Sequence, residues 1–184
     1  MEADAELYMR ARKGDGEAFA GLVNRHKHGL VNYMTRLAGD RGRAEDLAQE
    51  AFLRLYEGRG DFRPSRGTFR SYLYRIATNL LIGEQRRLQR WKRLLPRLYS
   101  TNGHHHEAVQ HRRLVTNEIQ SRLRDALERV PVPFRSALVL HHLEGWSYAD
   151  IAESLDCSVG TVKSRIFRAR KILHDELAPY WEAR

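Results

Sequence analysis

The stretch that decides the fold is residues 146–173, WSYADIAESLDCSVGTVKSRIFRARKIL. It predicts a short helix, a turn and a second helix that is strongly basic. Ser147 is a residue type that caps helix N-termini, and the Asp-Cys-Ser sequence at 156–158 is typical of a turn. The apolar residues that recur at helical spacing are Ile151, Ala152 and Leu155 before the turn and Val159, Val162, Ile166, Ala169 and Leu173 after it. Together these features predict a helix-turn-helix.

The polar side of the second predicted helix carries cations and hydroxyls. Its residues are Thr161, Ser164, Arg168 and Lys171, flanked by Lys163, Arg165 and Arg170. No acidic residue occurs between positions 159 and 173. Such a helix can pack through its apolar side and enter a DNA major groove, where arginine reads guanine edges and other groups hold phosphates. The alternative is a solvated basic face, but the turn residues and caps favour DNA.

The composition of the whole chain agrees with a nucleic-acid partner. Its 184 residues carry a formal net charge of +9, and the pI is about 10.0. A single cysteine, Cys157, excludes an intramolecular disulfide framework and is expected to be a small buried side chain of the turn. Charges interrupt every apolar run, and the N-terminus has no apolar core. We therefore expect a cytoplasmic protein without membrane insertion.

Nearly all of the chain shows helical periodicity, so an all-α protein is predicted. Helices are expected over 17–37, 43–56 and 68–93. A further helix is expected to end at Leu143, with Pro133 in its first turn. The stretch 96–114 contains Pro96 and the run Ser-Thr-Asn-Gly-His-His-His at 100–106, which predicts a flexible linker. Two small helical domains follow: a first block, residues 1–95, and a second block, residues 115–184, which contains the helix-turn-helix.

The first block has two surfaces of opposite charge. The outward face of its second predicted helix carries Glu45, Asp46, Gln49 and Glu50. This acidic face is either solvated or a protein-docking face, because DNA would repel it. The basic, aromatic region that follows consists of Arg59, Phe62, Arg63, Arg66, Phe69, Arg70, Tyr72, Tyr74, Arg75, Arg86, Arg87, Arg90, Trp91, Lys92 and Arg93. Cations with stacking rings suit single-stranded nucleic acid. The alternative is that the rings, Phe69 and Tyr72 above all, belong to the core.

The histidines of the linker, His104–His106 and His111, are the residues that could suggest a metal site. A flexible linker with no nearby cysteine and few carboxylates is a weak site, and a plain polar linker is the favoured interpretation. The chain has no nucleophile–base constellation, P-loop or zinc-hydrolase motif. The sequence thus predicts no cofactor, no metal and no catalytic site.

Three motifs in order resemble one family. They are AEDLAQEAFLRLY at 44–56, FRSYLYRIATNLLIGEQRR at 69–87 and WSYADIAESLDCSVGTVKSRIFRAR at 146–170. They are similar to bacterial RNA polymerase sigma factors of the sigma-70 family, in the extracytoplasmic-function (ECF) group. The resemblance runs from about Phe19 to His174, and it implies sigma region 2 in the first block and sigma region 4 in the second.

The resemblance also implies a role for each surface. The acidic helix would dock on the clamp helices of the largest polymerase subunit through Asp46, Gln49 and Glu50. The loop and helix that follow would capture an unstacked base of the minus-ten element, with Asn79 at the specificity position. That minus-ten set is Arg59, Arg63, Tyr72, Arg75, Asn79, Arg86 and Arg87. The helix-turn-helix would read the minus-thirty-five element through Thr161, Lys163, Ser164, Phe167, Arg168 and Lys171.

Three positions depart from the family pattern. Tyr72 stands where many members carry Trp, Gly83 where many carry Asp, and Ala149 where Glu is common. These departures bear on promoter preference. The partners implied are core RNA polymerase, promoter DNA and an anti-sigma factor. The alternative functions are a stand-alone helix-turn-helix regulator, which would have no use for the first block, and a metalloenzyme built on the histidines.

Overall fold

The computed structural model describes residues 2–58, 62–98 and 118–181, and in these ranges it contains α-helices and no strand. The helices are α1 (Asp4–Ala11), α2 (Gly16–Ala38), α3 (Arg41–Tyr56), α4 (Phe69–Leu98), α5 (Glu118–Arg129), α6 (Val132–His142), α7 (Tyr148–Ser154) and α8 (Val159–Trp181), with a short 3-10 turn at Pro64–Arg66. The all-α prediction is confirmed. Within the described ranges no helix has the length and apolar character needed to cross a membrane.

The predicted helices of the first block are present, and their ends are set by local caps. The carboxylate of Asp15 accepts a hydrogen bond from the Ala18 amide at 3.0 Å, and that of Asp40 accepts one from the Arg43 amide at 2.8 Å. Gly39 ends α2 with a φ of 76°, which a residue with a Cβ adopts only at a cost. The structure extends α4 five residues past the predicted end at Arg93.

The core of the first block is formed where α1, α3 and α4 pack on α2. Its largest fully buried side chains include Leu22, Leu30, Tyr33, Met34, Leu37, Leu73, Tyr74 and Leu81. The hydroxyls of Tyr33 and Thr78 share a buried hydrogen bond of 2.8 Å, and burial raises the pKa of Tyr33. α1 is tied to α2 where the Asp4 carboxylate lies 2.8 Å from Nε2 of His26. Burial lowers the pKa of His26 in spite of that carboxylate, so the ring stays neutral near pH 7.

The second block is a compact bundle of four helices. α6 begins at Val132, directly after Pro131, and Val130, Val132, Leu140, Ile151, Val162 and Ala169 are completely or almost completely buried. Helix α8 extends beyond Leu173 to Trp181, and its last turns include Asp175 and Glu176. Glu176 forms an ion pair with Arg129, which fastens α8 to the end of α5.

The two blocks are in contact along α2 and α4 on one side and α6 and α7 on the other. Trp146, which precedes α7, is 7% exposed, and its ring lies 5.1 Å from that of Tyr74 in α4. The sequence did not predict this contact. Most of the predicted linker, including His104–His106 and His111, lies outside the described residues.

Candidate functional site

The helix-turn-helix is built by local caps, as its sequence predicts. Ser147 Oγ accepts a hydrogen bond from the Asp150 amide, and the Asp150 carboxylate accepts one from the Ser147 amide, both at 3.2 Å. Asp156 adopts a φ of 49° in the turn, a conformation that Asp tolerates better than most residues. Ser158 Oγ then accepts a hydrogen bond from the Thr161 amide at 3.1 Å and caps α8. These caps set where α7 and α8 begin.

The face of α8 turned away from its own bundle carries the residues predicted to contact the minus-thirty-five element. Lys163, Ser164, Phe167, Arg168 and Lys171 are exposed, and Thr161 is half-buried. Phe167 is 70% exposed, which is unusual for an aromatic ring and suits an apolar contact with a thymine methyl group. Two cations rest on rings of neighbouring helices: the guanidinium of Arg168 is 5.7 Å from the Phe134 ring, and Nζ of Lys163 is 5.9 Å from the Tyr148 ring.

Two residues of this region differ from their predicted environments. Val159 was predicted in the apolar seam but is 41% exposed, because it occupies the first position of α8, beyond the bundle core. Cys157 is half-buried, and its sulfur lies 3.6 Å from Nη1 of Arg165. The seam itself is formed by Val162, Ile166 and Ala169, which are all buried.

A stripe of polar and aromatic side chains runs along one face of α4. Tyr72, Arg75, Asn79 and Arg86 follow one another at intervals of three, four and seven residues, a spacing that places them on the same side of a helix. The guanidinium of Arg75 lies 5.1 Å from the Tyr72 ring centre. Asn79 is exposed, and Arg86 and Arg87 are exposed about two turns further along.

The aromatic rings beside this stripe divide into core and surface. Phe62, Phe69 and Tyr74 are 6%, 3% and 1% exposed, so they cannot stack on a base. The Phe62 ring is perpendicular to those of Tyr8 and Phe69, at 5.3 Å and 5.7 Å. The core interpretation therefore holds for these three rings. Tyr72 is half-buried against Phe62 and remains partly accessible, and Trp91 is 57% exposed further along α4.

The loop before α4 is described only in part. Arg59 lies outside the described residues, and the same is true of the Arg66 side chain. Arg63 is exposed at the entrance to the 3-10 turn. Gly67 connects that turn to α4 with a φ of 126°, a conformation that only glycine adopts without strain.

The acidic face of α3 lies beside a groove that sequence patterns did not reveal. Asp46 and Gln49 are exposed, and Glu50 pairs with Arg54 at 2.9 Å. The groove between α2 and α3 has a volume of about 750 Å³, and its apolar walls are formed by Phe19, Val23, Val31, Ala48, Phe52 and Leu53. Gln49 lies on its rim. Leu53 and Tyr56 are 46% and 61% exposed. In the sequence these apolar residues follow the acidic ones closely, and that pattern is the signal that could have indicated this surface.

Family models match both blocks. The model for sigma-70 region 2 covers residues 22–92, and that for sigma-70 region 4 covers residues 120–173. The chain belongs to the sigma-70 family of RNA polymerase sigma factors. Both the acidic face of α3 and the α4 stripe fall inside the region 2 match, and the predicted helix-turn-helix at 146–173 falls inside the region 4 match.

Relatives of full length refine the assignment to the ECF group. The RNA polymerase sigma-H factor of Pseudomonas aeruginosa is 35% identical, with 97% of this chain and 96% of the relative aligned. The ECF RNA polymerase sigma-E factor of Escherichia coli K12 is 33% identical, over 96% of this chain and 95% of the relative. The match thus spans the complete two-block arrangement.

Two solved structures are similar to this fold, and one of them is that of a sigma factor, RpoE. CnrH, in complex with the cytosolic domain of CnrY, matches at 28% identity and a TM-score of 0.66, over 97% of this chain and 99% of CnrH. RpoE of Bartonella quintana, in complex with the anti-sigma factor NepR, matches at 25% identity and a TM-score of 0.65, over 87% of this chain and 96% of that one. The similarity again covers both blocks.

Proposed function

We propose that this ECF sigma factor docks on core RNA polymerase through α3, reads the minus-thirty-five element through α8 and holds the melted minus-ten strand along α4. The observation that supports the division of labour is the separation of three chemically distinct surfaces. One is the acidic face of α3 beside a groove with apolar walls, one is the exposed cationic face of α8, and one is the stripe of amide, arginine and aromatic groups on α4. The proposed limits of the two domains are residues 1–95 and 115–184, with 96–114 as the linker.

For docking, Asp46, Gln49 and Glu50 supply charge and hydrogen bonds, while the groove beside them supplies apolar area. An interface with an apolar centre and a polar rim is the usual anatomy of a specific protein complex. A partner helix with cations beside an apolar edge would match this surface, and we assign that partner to the clamp helices of the largest polymerase subunit.

For upstream recognition, α8 enters the major groove. Arg168, Ser164 and Phe167 read base edges there, and Lys163, Thr161 and Lys171 contact phosphates or the groove wall. The rings under Arg168 and Lys163 limit the conformations of those long side chains, which lowers the entropy lost on binding.

For the minus-ten element, Asn79 reads a base that has left the stack, and Tyr72 forms a wall beside it. Arg63, Arg75, Arg86 and Arg87 hold the strand backbone, with Arg59 in the preceding loop. Unstacking a base costs a few kcal/mol, so these contacts must repay it. The protein has no catalytic role in this scheme, because polymerase carries out the chemistry. We place the protein in the cytoplasm.

An anti-sigma factor is the further partner that we propose, by analogy with the RpoE complex above. Affinity purification from native cells followed by mass spectrometry tests both partnerships at once. We expect core polymerase subunits and one small inhibitor protein. Recovery of neither partner would contradict the proposal. It would favour the stand-alone regulator, although that alternative leaves the region 2 match unexplained.

A further inference from the structure

A second cavity lies where the later turns of α4 meet the beginning of α6. It has a volume of about 260 Å³, and α4 forms one of its walls while the end of α5 and the beginning of α6 form the other. None of the described residues assigned above to docking or to DNA reading lines it. The function proposed above therefore gives this cavity no role.

The residue that distinguishes this cavity is Arg135 of α6, which lines it. Arg135 is 3% exposed, and its Nε is buried without a hydrogen-bond partner. Burial lowers the pKa of Arg135, an effect that the charge of Glu128 opposes and that of Arg43 reinforces. A buried cation whose donors are not satisfied destabilises the fold, so an anion that reaches this side chain would be bound favourably.

Glu128, at the end of α5, is the carboxylate that acts on Arg135, but it is in close contact with another helix end. Its Oε1 lies so near the end of α2 that a Cβ at Gly39 would be 1.9 Å away from it. Glu128 also lines the cavity and is exposed. One negative charge at this place disfavours a dianionic ligand more than a monoanionic one.

The beginning of α6 is a second feature that favours an anion. α6 is 11 residues long, and within the described part of the chain no side chain caps it and no acidic residue occupies its first turn. Pro133 has no N–H, and the Phe134 amide donates to the Pro131 carbonyl at 2.9 Å. The first-turn amide that remains for a ligand is that of Val132, which lines the cavity. The positive end of the helix dipole and Arg135 therefore attract an anion to the same place.

The wall formed by α4 contains polar groups and one apolar side chain. Gln85, Leu88, Gln89 and Lys92 are spaced so that they lie on one side of the helix. Lys92 supplies a cation, and the two glutamines supply amide donors. Leu88 is 54% exposed and, with Pro131 of the other wall, gives the cavity apolar surface. A ligand with a charged end and a short hydrocarbon part matches both kinds of surface.

We propose that this cavity binds a small monoanionic carboxylate with a short apolar chain. The carboxylate accepts hydrogen bonds from Arg135 and from the Val132 amide, and Lys92 supplies further positive charge. The chain lies against Leu88 and Pro131. Arginine suits this role, because its guanidinium can bind a carboxylate through two parallel hydrogen bonds. The site does not depend on the function proposed above, since none of the docking or DNA-reading residues takes part in it.

Binding is measured on the full chain by proton–nitrogen correlation NMR, with sodium butyrate as the probe. Sodium chloride at the same ionic strength is the reference, because the exposed cations of a basic protein respond to any salt. We expect butyrate to shift the Nε–Hε signal of Arg135 and the amide signal of Val132 to saturation with one common Kd. Chloride should not produce saturable shifts. If butyrate, too, produces no saturable shift of these two signals, the site is overturned.

Arg135→Met removes the charge of the site and keeps most of the side-chain volume, a replacement that buried ions often tolerate. It should weaken butyrate binding by about tenfold or more, as followed at the Val132 amide, because hydrogen bonds to a charged group are lost. Arg124→Met is the matched control, since Arg124 is exposed on α5 and does not line the cavity. It should bind butyrate like wild type. Circular dichroism verifies that both variants are folded, and unchanged affinity in folded Arg135→Met would overturn the proposal.

Glu128→Gln tests the site by a gain of affinity, and it keeps the proposal testable if Arg135→Met does not fold. Because it removes the negative charge beside the cavity, it should tighten butyrate binding by about two- to fivefold. Asp125→Asn, which removes the same charge from an exposed residue of α5, should leave the affinity unchanged. Equal affinities of the two variants would overturn the role given to the cavity.

Inorganic phosphate, a dianion at mildly alkaline pH, tests the class of ligand. It should bind more weakly than butyrate, since it meets the charge of Glu128 twice over and cannot use the apolar surface of Leu88 and Pro131. Tighter binding of phosphate than of butyrate at the Arg135 and Val132 signals would overturn the assignment to a carboxylate.

Discussion

The two helices proposed to read DNA, α8 and α4, differ in how much of the proposed site each contains. α8 carries its whole proposed recognition face on one helix, with Phe167 exposed, Ser158 capping that helix and Ser147 capping the neighbouring α7. The α4 stripe depends on distant parts of the chain. Tyr72 rests on Phe62 of the loop, and Phe62 rests on Tyr8 of α1. A helix that reads duplex DNA (the duplex reader, α8) must reach into a groove. A helix that reads a single strand (the strand reader, α4) must place an aromatic ring and hydrogen-bond donors beside one base.

The largest effect is expected at the acidic face of α3, which belongs to neither of the helices proposed to read DNA. Asp46→Arg together with Glu50→Arg should abolish binding to core polymerase and leave the fold intact, because exposed charges contribute little to stability. Binding to immobilised core enzyme measures this. The double variant Asp125→Arg, Asp175→Arg, which changes exposed charges of the second block, should bind normally. Normal binding and transcription by the first variant would place the docking face elsewhere.

The next effect concerns the strand reader. Asn79→Ala should impair open-complex formation and relax the preference at one minus-ten position, because the contact that repays base unstacking is lost. Permanganate footprinting on matched and pre-melted templates separates the two defects. Pre-melting should restore part of the opening but not the base preference. Wild-type opening and preference in this variant would make Asn79 structural.

A smaller effect separates two residues of the duplex reader. Arg168→Ala should cost about 1–3 kcal/mol of discrimination at one base position, since it removes the proposed base contact. Lys171→Ala should weaken binding to all sequences and flatten the salt dependence, since it removes the proposed phosphate contact. Binding of both variants to a duplex library at several salt concentrations tests this. Identical profiles would remove the distinction between base and phosphate contacts.

The smallest effects are expected on the free energy of unfolding, when one glycine in each of the two proposed reading helices is replaced by alanine. Gly83 lies inside α4, and a Cβ there would meet no atom within 4 Å, so packing does not require glycine. Gly83→Ala should stabilise the fold by about 0.5–1 kcal/mol in urea denaturation. Gly160→Ala, in the first turn of α8, should have a smaller effect because that turn lacks a complete set of helical hydrogen bonds. Destabilisation by Gly83→Ala would indicate an unrecognised packing constraint.

The difference between the readers also explains what could be predicted from the sequence. The helix-turn-helix was predictable because its caps join residues three apart and its seam follows a single period. The exposure of the aromatic residues around α4 could not be predicted, since Tyr8 of the N-terminal helix α1 packs on Phe62 and Phe69 and buries them. The contact between the two blocks was least predictable, because Glu144 and Arg36, which pair across it, are 108 residues apart and no periodicity connects them.

The groove beside the docking face was missed for a related reason. Each of its walls is an ordinary amphipathic helix in the sequence, and the gap appears only when α2 and α3 are packed together. Patterns of charge could predict Asp46, Gln49 and Glu50 as an outward face, but not the apolar area next to it. The roles of individual residues in docking and base reading stay predictions.

Promoter selection with reconstituted polymerase tests the central claim, that each block reads its own DNA element, most directly. Core enzyme carrying wild type, Arg168→Ala or Asn79→Ala is given a library that is randomised in an upstream and a downstream window, and the transcribed sequences are compared. We predict that Arg168→Ala changes the preference in the upstream window alone and Asn79→Ala in the downstream window alone. A substitution that changes the preference in the other block's window, or two substitutions that leave both windows unchanged, would contradict the account.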